Sequence, residues 1–356
     1  MRGIVVPSGI KRPFAPIDRA VLRAFQKLQV EVTPLAAEES FRERLPSLVA
    51  DTNPDFILVL MGWRLGADNW QQLKRVPRIP KIAWMTDDPY YSDWSRTVGK
   101  YVDVVFTNES AAVPVYRAHG CQCVHHLPLG VDPTDFFPRQ TVPARYHSDV
   151  LVLGTAFNNR RRWVRQLLPY LTRTKLCLVG PGWDRADVFL KSPARGCVRK
   201  RVVVRPHWVS VAEANNYYNG AKIVLNLNRS PRDEYLKLNR AGVAANTPNN
   251  RTFEVAACAA FQLVQYRPDL SSLYPAQDRS GKSRILSFRS VGDAIRLMTY
   301  YLPRIKRRVA IATDVYRETL QAHQYVHRIE KLCAVLKKFH RSDQHDVTVT
   351  GETTPL

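Results

Sequence analysis

Short apolar runs alternate with amphipathic stretches along the first part of the chain. The run Phe56-Ile-Leu-Val-Leu-Met is continuous, which is typical of a strand buried on both faces of a parallel sheet. Helical periodicity separates several runs, for example over 18–28. Such strand–helix–strand units predict a doubly wound sheet. The predicted strands begin at Ile4, Phe56, Lys81, Val102 and Cys123.

A second series of the same kind follows a segment rich in proline and polar residues. We therefore predict a first domain over 1–130, a linker over 131–147 and a second domain over 148–311. Helical periodicity continues over 304–336, and the polar tail 341–356 is predicted to be disordered. The strands predicted for the second domain begin at Ser148, Leu176, Val202, Ala221, Phe261 and Ile285.

The stretch from Asn246 to Phe261 predicts a loop that leads into a buried helix. Its proline and asparagines form turns readily, and Thr252 is the predicted N-cap. Arg251, with Asn250 and Thr252 beside it as further predicted contacts of the nucleotide, stands where a phosphate binds at a helix entry. Glu254 lies in the first helical turn, where a carboxylate can accept hydrogen bonds from ribose hydroxyls.

Polar residues follow other predicted strands, at the sheet edge where doubly wound folds bind ligands. Asp87 and Asp88 follow the third strand of the first domain, and one of them could act as a general base towards an acceptor hydroxyl. Alternatively, one of them caps the turn before Pro89. Further candidates for ligand binding are Ser8 and Gly9 in the first domain and Gly154, Thr155, Asn226, Asn228 and Arg229 in the second.

Composition changes this picture mainly through charge. Hydrophobic residues make up 45% of the 356 positions, as in globular proteins. Lysine and arginine number 53 against 31 acidic residues, a net charge of +22. That surplus favours anionic partners, namely nucleotides, nucleic acid, teichoic-type polymers or an anionic membrane surface, unless it is simply spread over solvated faces.

The chain has the features of a cytoplasmic protein without a membrane span. The amino-terminal residues lead into the first strand without the apolar core of a signal peptide. The longest apolar run, near 255–264, is too short to cross a bilayer. The six cysteines are scattered, so reduced thiols are expected.

Two short motifs carry little weight. Ser280-Gly-Lys-Ser resembles the end of a phosphate-binding loop, but no apolar strand leads into it. The cysteines and histidines between Cys121 and His126 have neither finger-type spacing nor a loop to lie on, so no metal site is predicted. No G-x-G-x-x-G is present, which argues against a conventional NAD enzyme.

Arg251-Thr-Phe-Glu-Val-Ala-Ala-Cys258 resembles the nucleotide-sugar segment of GT-B glycosyltransferases, especially the CgeB/YkvP-like spore-maturation family. The loop Thr86-Asp-Asp-Pro-Tyr90 and the segment Leu127-Pro-Leu-Gly-Val-Asp-Pro133 match that family too. Two positions depart from the pattern. Asn246 replaces the first of the two glutamates found in the related family 4 enzymes, and Ala259 replaces a glycine.

The resemblance implies a GT-B fold, an α/β architecture in which two Rossmann-like domains face a cleft, with a last helix, here 312–340, crossing back to the first domain. It also implies a retaining transfer without metal or cofactor, in which a UDP-, GDP- or dTDP-sugar is the co-substrate. Arg251 would grip the diphosphate. The acceptor and the oligomeric state are not indicated.

Two other functions are compatible with the sequence. The net charge would suit a nucleic-acid-associated protein, such as an enzyme that glycosylates DNA bases. The departures at Asn246 and Ala259 would suit an inactive GT-B protein with a structural role in a spore or surface layer.

Overall fold

The first domain of the computed structural model is built on one parallel sheet with strand order β2-β1-β3-β4-β5-β6. The structure describes residues 1–38, 40–185, 201–232, 237–276 and 284–349, with side chains up to 339. Every residue of β3 is buried, as its continuous apolar run predicts. The strands are β1 (Arg2–Val6), β2 (Glu31–Pro34), β3 (Phe56–Leu60), β4 (Lys81–Met85), β5 (Val104–Thr107) and β6 (Val124–His126).

Helices cover both faces of this sheet, and one apolar cluster lies on each side. The helices are α1 (Ala15–Lys27), α2 (Phe41–Thr52), α3 (Gly66–Arg75), α4 (Ser92–Ser95) and α5 (Val113–Ala118). Strand β2, which the apolar pattern did not reveal, is a partly exposed edge strand. From β1 the chain continues to β2 on one side of the sheet, and the later strands β3 to β6 are added on the other side. The strand order therefore reverses between β1 and β3.

The second domain repeats the plan with strand order β12-β11-β10-β7-β8-β9, which reverses between β7 and β10. Its strands are β7 (Ser148–Leu153), β8 (Leu176–Val179), β9 (Val202–Arg205), β10 (Ala221–Asn226), β11 (Gln262–Gln265) and β12 (Leu286–Phe288). Its helices are α6 (Asn158–Leu167), α7 (Val211–Gly220), α8 (Arg251–Ala257), α9 (Leu270–Leu273) and α10 (Val291–Tyr301). The two Rossmann-like sheets confirm the predicted α/β fold.

Two helices close the chain where one was predicted over 304–336. They are α11 (Ile305–Ala322) and α12 (Tyr325–Val349). The break between them pairs with the linker, because the Val131 amide donates to the carbonyl of His323 and the Tyr325 amide donates to that of Val131, both at 3.0 Å.

The crossing to the first domain begins at Tyr325 and not at 312. Ala312 and Val315 of α11 pack in the second domain, whereas Ile329 and Leu332 of α12 lie in the core of the first. Residues 341–349, which were predicted to be disordered, continue α12 to Val349, a helix without proline or glycine, and residues 350–356 lie outside the described residues. None of the helices in the described ranges is long and apolar enough to cross a membrane.

Candidate active site in the interdomain cleft

Gly154 leaves space for two guanidinium groups at the point where the strand order of the second sheet reverses. It follows β7 and has a φ of +124°. A Cβ atom placed there would lie 2.2 Å from Nη1 of Arg251 and 2.9 Å from Nη1 of Arg160. Only glycine therefore allows both guanidinium groups to approach the strand end.

The two guanidinium groups bind main-chain carbonyls at the ends of β7 and β10. Arg251 donates to the carbonyl oxygens of Leu153 and Leu227, the latter at 2.9 Å. Arg160 donates to Leu227 at 3.0 Å and to Thr155 at 2.9 Å. These hydrogen bonds satisfy carbonyl groups at the strand ends and fix both guanidinium groups beside them.

Two further arginines extend this group towards the first domain. The guanidinium carbon of Arg229 lies 4.2 Å from the ring centre of Tyr90 and 4.7 Å from that of Phe157. Its Nη1 lies 3.5 Å from a carboxylate oxygen of Asp87, across the cleft. Arg267 donates to the carbonyl oxygen of Arg229 at 2.7 Å. We call Arg160, Arg229, Arg251 and Arg267 the arginine cluster.

Among the described residues, the carboxyl groups of Asp87 and Glu254 lie next to the arginine cluster. Burial and the neighbouring arginines Arg251, Arg229 and Arg267 hold the pKa of Arg160 well below its usual value. Burial also raises the pKa of Glu254, next to Arg251, to about 7, so this carboxyl is only partly ionised near neutrality. An anion that entered the cleft would relieve the repulsion among the guanidinium groups.

Glu254 is held by two polar neighbours. It accepts hydrogen bonds from the hydroxyl of Tyr218 at 3.1 Å and from the side-chain amide of Asn250 at 2.7 Å. Both bonds favour the ionised form, but burial outweighs them. Glu254 and Arg251 lie together in the first turn of α8, the helix that the sequence predicted here.

The first domain meets this region directly. The hydroxyl of Tyr90 donates to the carbonyl oxygen of Arg229 at 3.2 Å. The buried carboxylate of Glu109 accepts from the amides of Asn246 at 2.9 Å and Thr247 at 3.1 Å. The carboxyl end of the first sheet thus faces the carboxyl end of the second.

The comparisons with known proteins agree with this arrangement. The chain is 30% identical to spore protein CgeB of Bacillus subtilis (strain 168) over 348 residues, which cover 96% of this chain and 99% of CgeB. A family model described as "Glycosyl transferase-like" matches residues 160–334. The chain belongs to the CgeB family of glycosyltransferases.

Solved glycosyltransferases share the fold of this CgeB-family protein. AviGT4, a glycosyltransferase involved in avilamycin A biosynthesis, has a TM-score of 0.61 at 13% identity, over 95% of this chain and 97% of that one. An α-glucosyltransferase in complex with UDP-glucose and DNA containing an abasic site has a TM-score of 0.60 at 12% identity, over 95% and 99%. These similarities establish the two-domain GT-B architecture.

Three residues predicted to contact the nucleotide are buried in a polar network instead. Asn249 donates to the side-chain oxygens of Asn226 at 3.0 Å and Asn228 at 2.6 Å. Asn226 in turn donates to the hydroxyl of Thr252 at 3.1 Å. Thr252 is not the N-cap, since α8 begins at Arg251 after Asn250, which makes no side-chain capping bond. The network fixes the loop that carries Arg251.

Ser8 is likewise structural. Its hydroxyl donates to the carboxylate of Asp18 at 2.6 Å, and both residues are buried. The neighbouring Gly9, with a φ of +69°, lies against the side chain of Arg64 on the next loop. Thr155 uses its carbonyl oxygen to orient Arg160. Ser8 is therefore unavailable to a ligand, whereas Gly9 is exposed and Thr155 is partly exposed.

The adjacent carboxylates Asp87 and Asp88 point in different directions. Asp88 is buried and accepts hydrogen bonds from the hydroxyls of Ser95 at 2.6 Å, Thr107 at 2.8 Å and Tyr116 at 2.8 Å. This environment excludes Asp88 from contact with an acceptor and contradicts a catalytic role for it. Asp87 is the carboxylate that reaches the cleft, where it meets Arg229.

Sequence reasoning missed Arg160, Tyr90 and Arg267 as members of the site. Arg160 is the first of three consecutive arginines on α6, and nothing in that run distinguishes the buried one from its solvated neighbours. Tyr90 belongs to the loop that the family resemblance had already marked.

The two discounted motifs contribute nothing to the described site. Cys123 Sγ lies 3.5 Å from Nε2 of His125, but no group of three or more metal-binding side chains forms in the described ranges. The Ser280-Gly-Lys-Ser segment lies outside the described residues.

Proposed function

We propose that this protein transfers a sugar from a nucleoside-diphosphate sugar, held by the second domain, to an acceptor hydroxyl that enters from the first. The arginine cluster carries the proposal. A diphosphate would supply the negative charge that Asp87 and the partly protonated Glu254 do not, and its oxygens suit bidentate guanidinium contacts. The position at the strand-order reversal is where doubly wound sheets bind nucleotides.

Glu254 and the loop before it would hold the rest of the donor. Its carboxylate lies one helical turn after Arg251, within reach of ribose or sugar hydroxyls on the same ligand. The UDP-glucose bound by a protein of the same fold supports a UDP-sugar, and GDP- and dTDP-sugars remain alternatives.

The transfer itself requires little covalent chemistry from the protein. The bond between the anomeric carbon and the diphosphate oxygen breaks, and the acceptor oxygen forms the new bond on the same face. The acceptor proton passes to the leaving diphosphate, whose charge the arginine cluster stabilises. Asp87 would orient the acceptor hydroxyl. We therefore propose a retaining reaction in which guanidinium groups take the place of a metal ion.

Calorimetric titration with UDP, GDP, dTDP and the corresponding monophosphates tests the proposal. One diphosphate should bind more tightly than its monophosphate. Because Arg251→Gln removes a charged donor from the diphosphate, we expect affinity to fall about 100-fold. The matched control is Arg139→Gln, an exposed arginine that also stacks on an aromatic ring.

Two results would count against this function. The first is no preference for any diphosphate over its monophosphate, and the second is equal affinity of Arg251→Gln and the control. A folded Arg251→Gln variant must be verified by its melting temperature, since Arg251 also binds Leu153 and Leu227. With donor and acceptor, excess EDTA should leave transfer intact, and an inverted product anomer in the NMR spectrum would contradict retention.

A further inference from the structure

The loop after β3 presents an aromatic side chain that the proposed donor site does not use. Trp63 is 39% exposed, although tryptophan is usually largely buried. Its ring centre lies 4.8 Å from that of Tyr91 and 5.2 Å from that of Trp94, both at steep interplanar angles. These edge-type contacts hold the indole ring in place. Its N–H makes no hydrogen bond within the described ranges.

The backbone before Trp63 is strained in a way that fixes this position. Met61 has a φ of +58°, and the amide of Gly62 donates to the carbonyl oxygen of Leu60 at 2.6 Å. This is a γ-turn with a positive φ at a residue that is not glycine, a rare and unfavourable conformation. A Cβ atom on Gly62 would lie 2.3 Å from the ring of Trp70, so the turn is also tightly packed. Strained residues of this kind cluster at active sites and ligand-binding regions.

The aromatic group adjoins the proposed donor site. Tyr91, which touches Trp63, follows Tyr90, whose ring lies beneath the guanidinium of Arg229. Trp63 also lies at the carboxyl end of β3, next to the strand-order reversal of the first sheet. A molecule resting on Trp63 is therefore placed on the acceptor side of the cleft.

Exposed cationic side chains lie on the loop of Trp63 and on the loop after β1. Arg64 is exposed, and its side chain lies against Gly9 of the loop after β1. The same loop carries Lys11 and Arg12, which are also exposed. None of these three cations forms an ion pair with the described residues. An anionic group next to a stacked ring would meet them.

We propose that Trp63 is the platform for the acceptor, and that the acceptor presents an acidic sugar ring. The face of a pyranose carries C–H groups that pack on the negative face of an indole, while its hydroxyls can accept from the indole N–H. Arg64, with Lys11 and Arg12, would face the carboxylate or phosphate of that sugar. This inference rests on the proposed function, because it names the substrate that the donor sugar reaches.

Titration of the full chain with an α-1,4-linked galacturonate tetramer and with its neutral galactose counterpart tests this assignment. We expect the acidic tetramer to bind more tightly, and Trp63→Ala to weaken it about tenfold. Trp63→Phe should restore part of that affinity. Arg64→Gln should weaken the acidic tetramer about threefold and leave the neutral one unchanged. The matched control is Trp208→Ala, since Trp208 is equally exposed, at 39%, beyond the edge strand β9.

The outcomes separate this inference from the proposed function. Diphosphate affinity should be the same in wild type and Trp63→Ala. If diphosphates bind but the sugar affinity does not depend on Trp63, the acceptor platform is wrong and the donor site stands. If neither tetramer binds, or if a thymidylate octamer binds instead and depends on Trp63, an acidic sugar is excluded as the acceptor. If diphosphates fail to bind at all, the proposed function fails on its own test.

Discussion

The two sheet ends that face each other across the cleft bury charge in opposite ways. The first places carboxyl groups among hydroxyl and amide donors, as at Asp18, Asp88 and Glu109. The second places guanidinium groups among carbonyl oxygens, as at Arg160 and Arg251. Both arrangements satisfy hydrogen bonds. Hydrogen bonding alone therefore does not show that the first sheet end is structural and that the second binds a ligand.

The difference lies in what each group can do with its charge. Burial raises the pKa of Asp18 and of Asp88. It raises the pKa of Glu109 to about 7, so this carboxyl group can bind a proton near neutrality. A guanidinium group stays protonated in proteins. The second sheet end therefore stays positively charged and can bind an anion, whereas Glu109 at the first end can lose its charge by binding a proton.

Removing the buried carboxylate of Asp88, at the first sheet end, should cause the largest loss of stability. In Asp88→Ala, the hydroxyls of Ser95, Thr107 and Tyr116 lose their shared acceptor. We expect the free energy of unfolding to fall by about 3 kcal/mol. Asp87→Ala should lose less, about 1 kcal/mol, because the side chain of Asp87 is 24% exposed and its ion pair with Arg229 is long, at 3.5 Å. Urea denaturation measures both. Equal losses would contradict the assignment of Asp88 to the interior and of Asp87 to the cleft.

This pair also shows what the sequence could and could not predict. Uninterrupted apolar runs were sufficient for most strands, because strands buried on both faces have no polar positions. The loop before α8 was recognisable from Arg251 and Glu254. By contrast, whether Asp87 or Asp88 turns inwards depends on Ser95, Thr107 and Tyr116, which only the fold brings together. The same holds for Arg160, which becomes part of the site only because Gly154 leaves space for it.

The pH dependence of stability tests whether Glu109, at the first sheet end, binds a proton. Its pKa is raised by burial from 4.5 to about 7, and Asp269 adds to the shift. The folded protein then binds more protons than the unfolded chain between these values, so the stability from Glu109 is present below pH 4.5 and is lost as pH rises through 7. One such group changes the free energy of unfolding by at most about 1.4 kcal/mol per pH unit.

Glu109→Gln should remove this contribution. We expect the free energy of unfolding of the wild type, minus that of Glu109→Gln, to fall steadily from pH 5 to pH 7. Urea denaturation at each pH measures both values. Glu254 has a similar pKa, and His126 a lowered one, but both are common to the two proteins and cancel in the difference. Glu330→Gln, at an exposed position, is the control. A constant difference across this range would show that Glu109 is not a proton-binding carboxyl.

The smallest expected effect concerns the far end of α8, the helix that carries Arg251 and Glu254 into the binding end. The amide of Ala259 donates to Ala256 at 3.0 Å and that of Ala260 to Val255 at 3.3 Å, which is a Schellman ending. Ala259 must then adopt a left-handed φ of +49°, which disfavours any side chain.

Ala259→Gly should relieve this conformation and raise the free energy of unfolding by about 0.5–1 kcal/mol, after allowing for the greater freedom of glycine in the unfolded chain. Ala256→Gly is the opposite control, because Ala256 lies within α8 and glycine there should destabilise by about 1 kcal/mol. Diphosphate affinity should not change in Ala259→Gly, since the helix already holds Arg251 in place through Leu153 and Leu227. A gain in affinity would show instead that the strained ending displaces Arg251, and that the departure from the family glycine tunes the binding end as well as the fold.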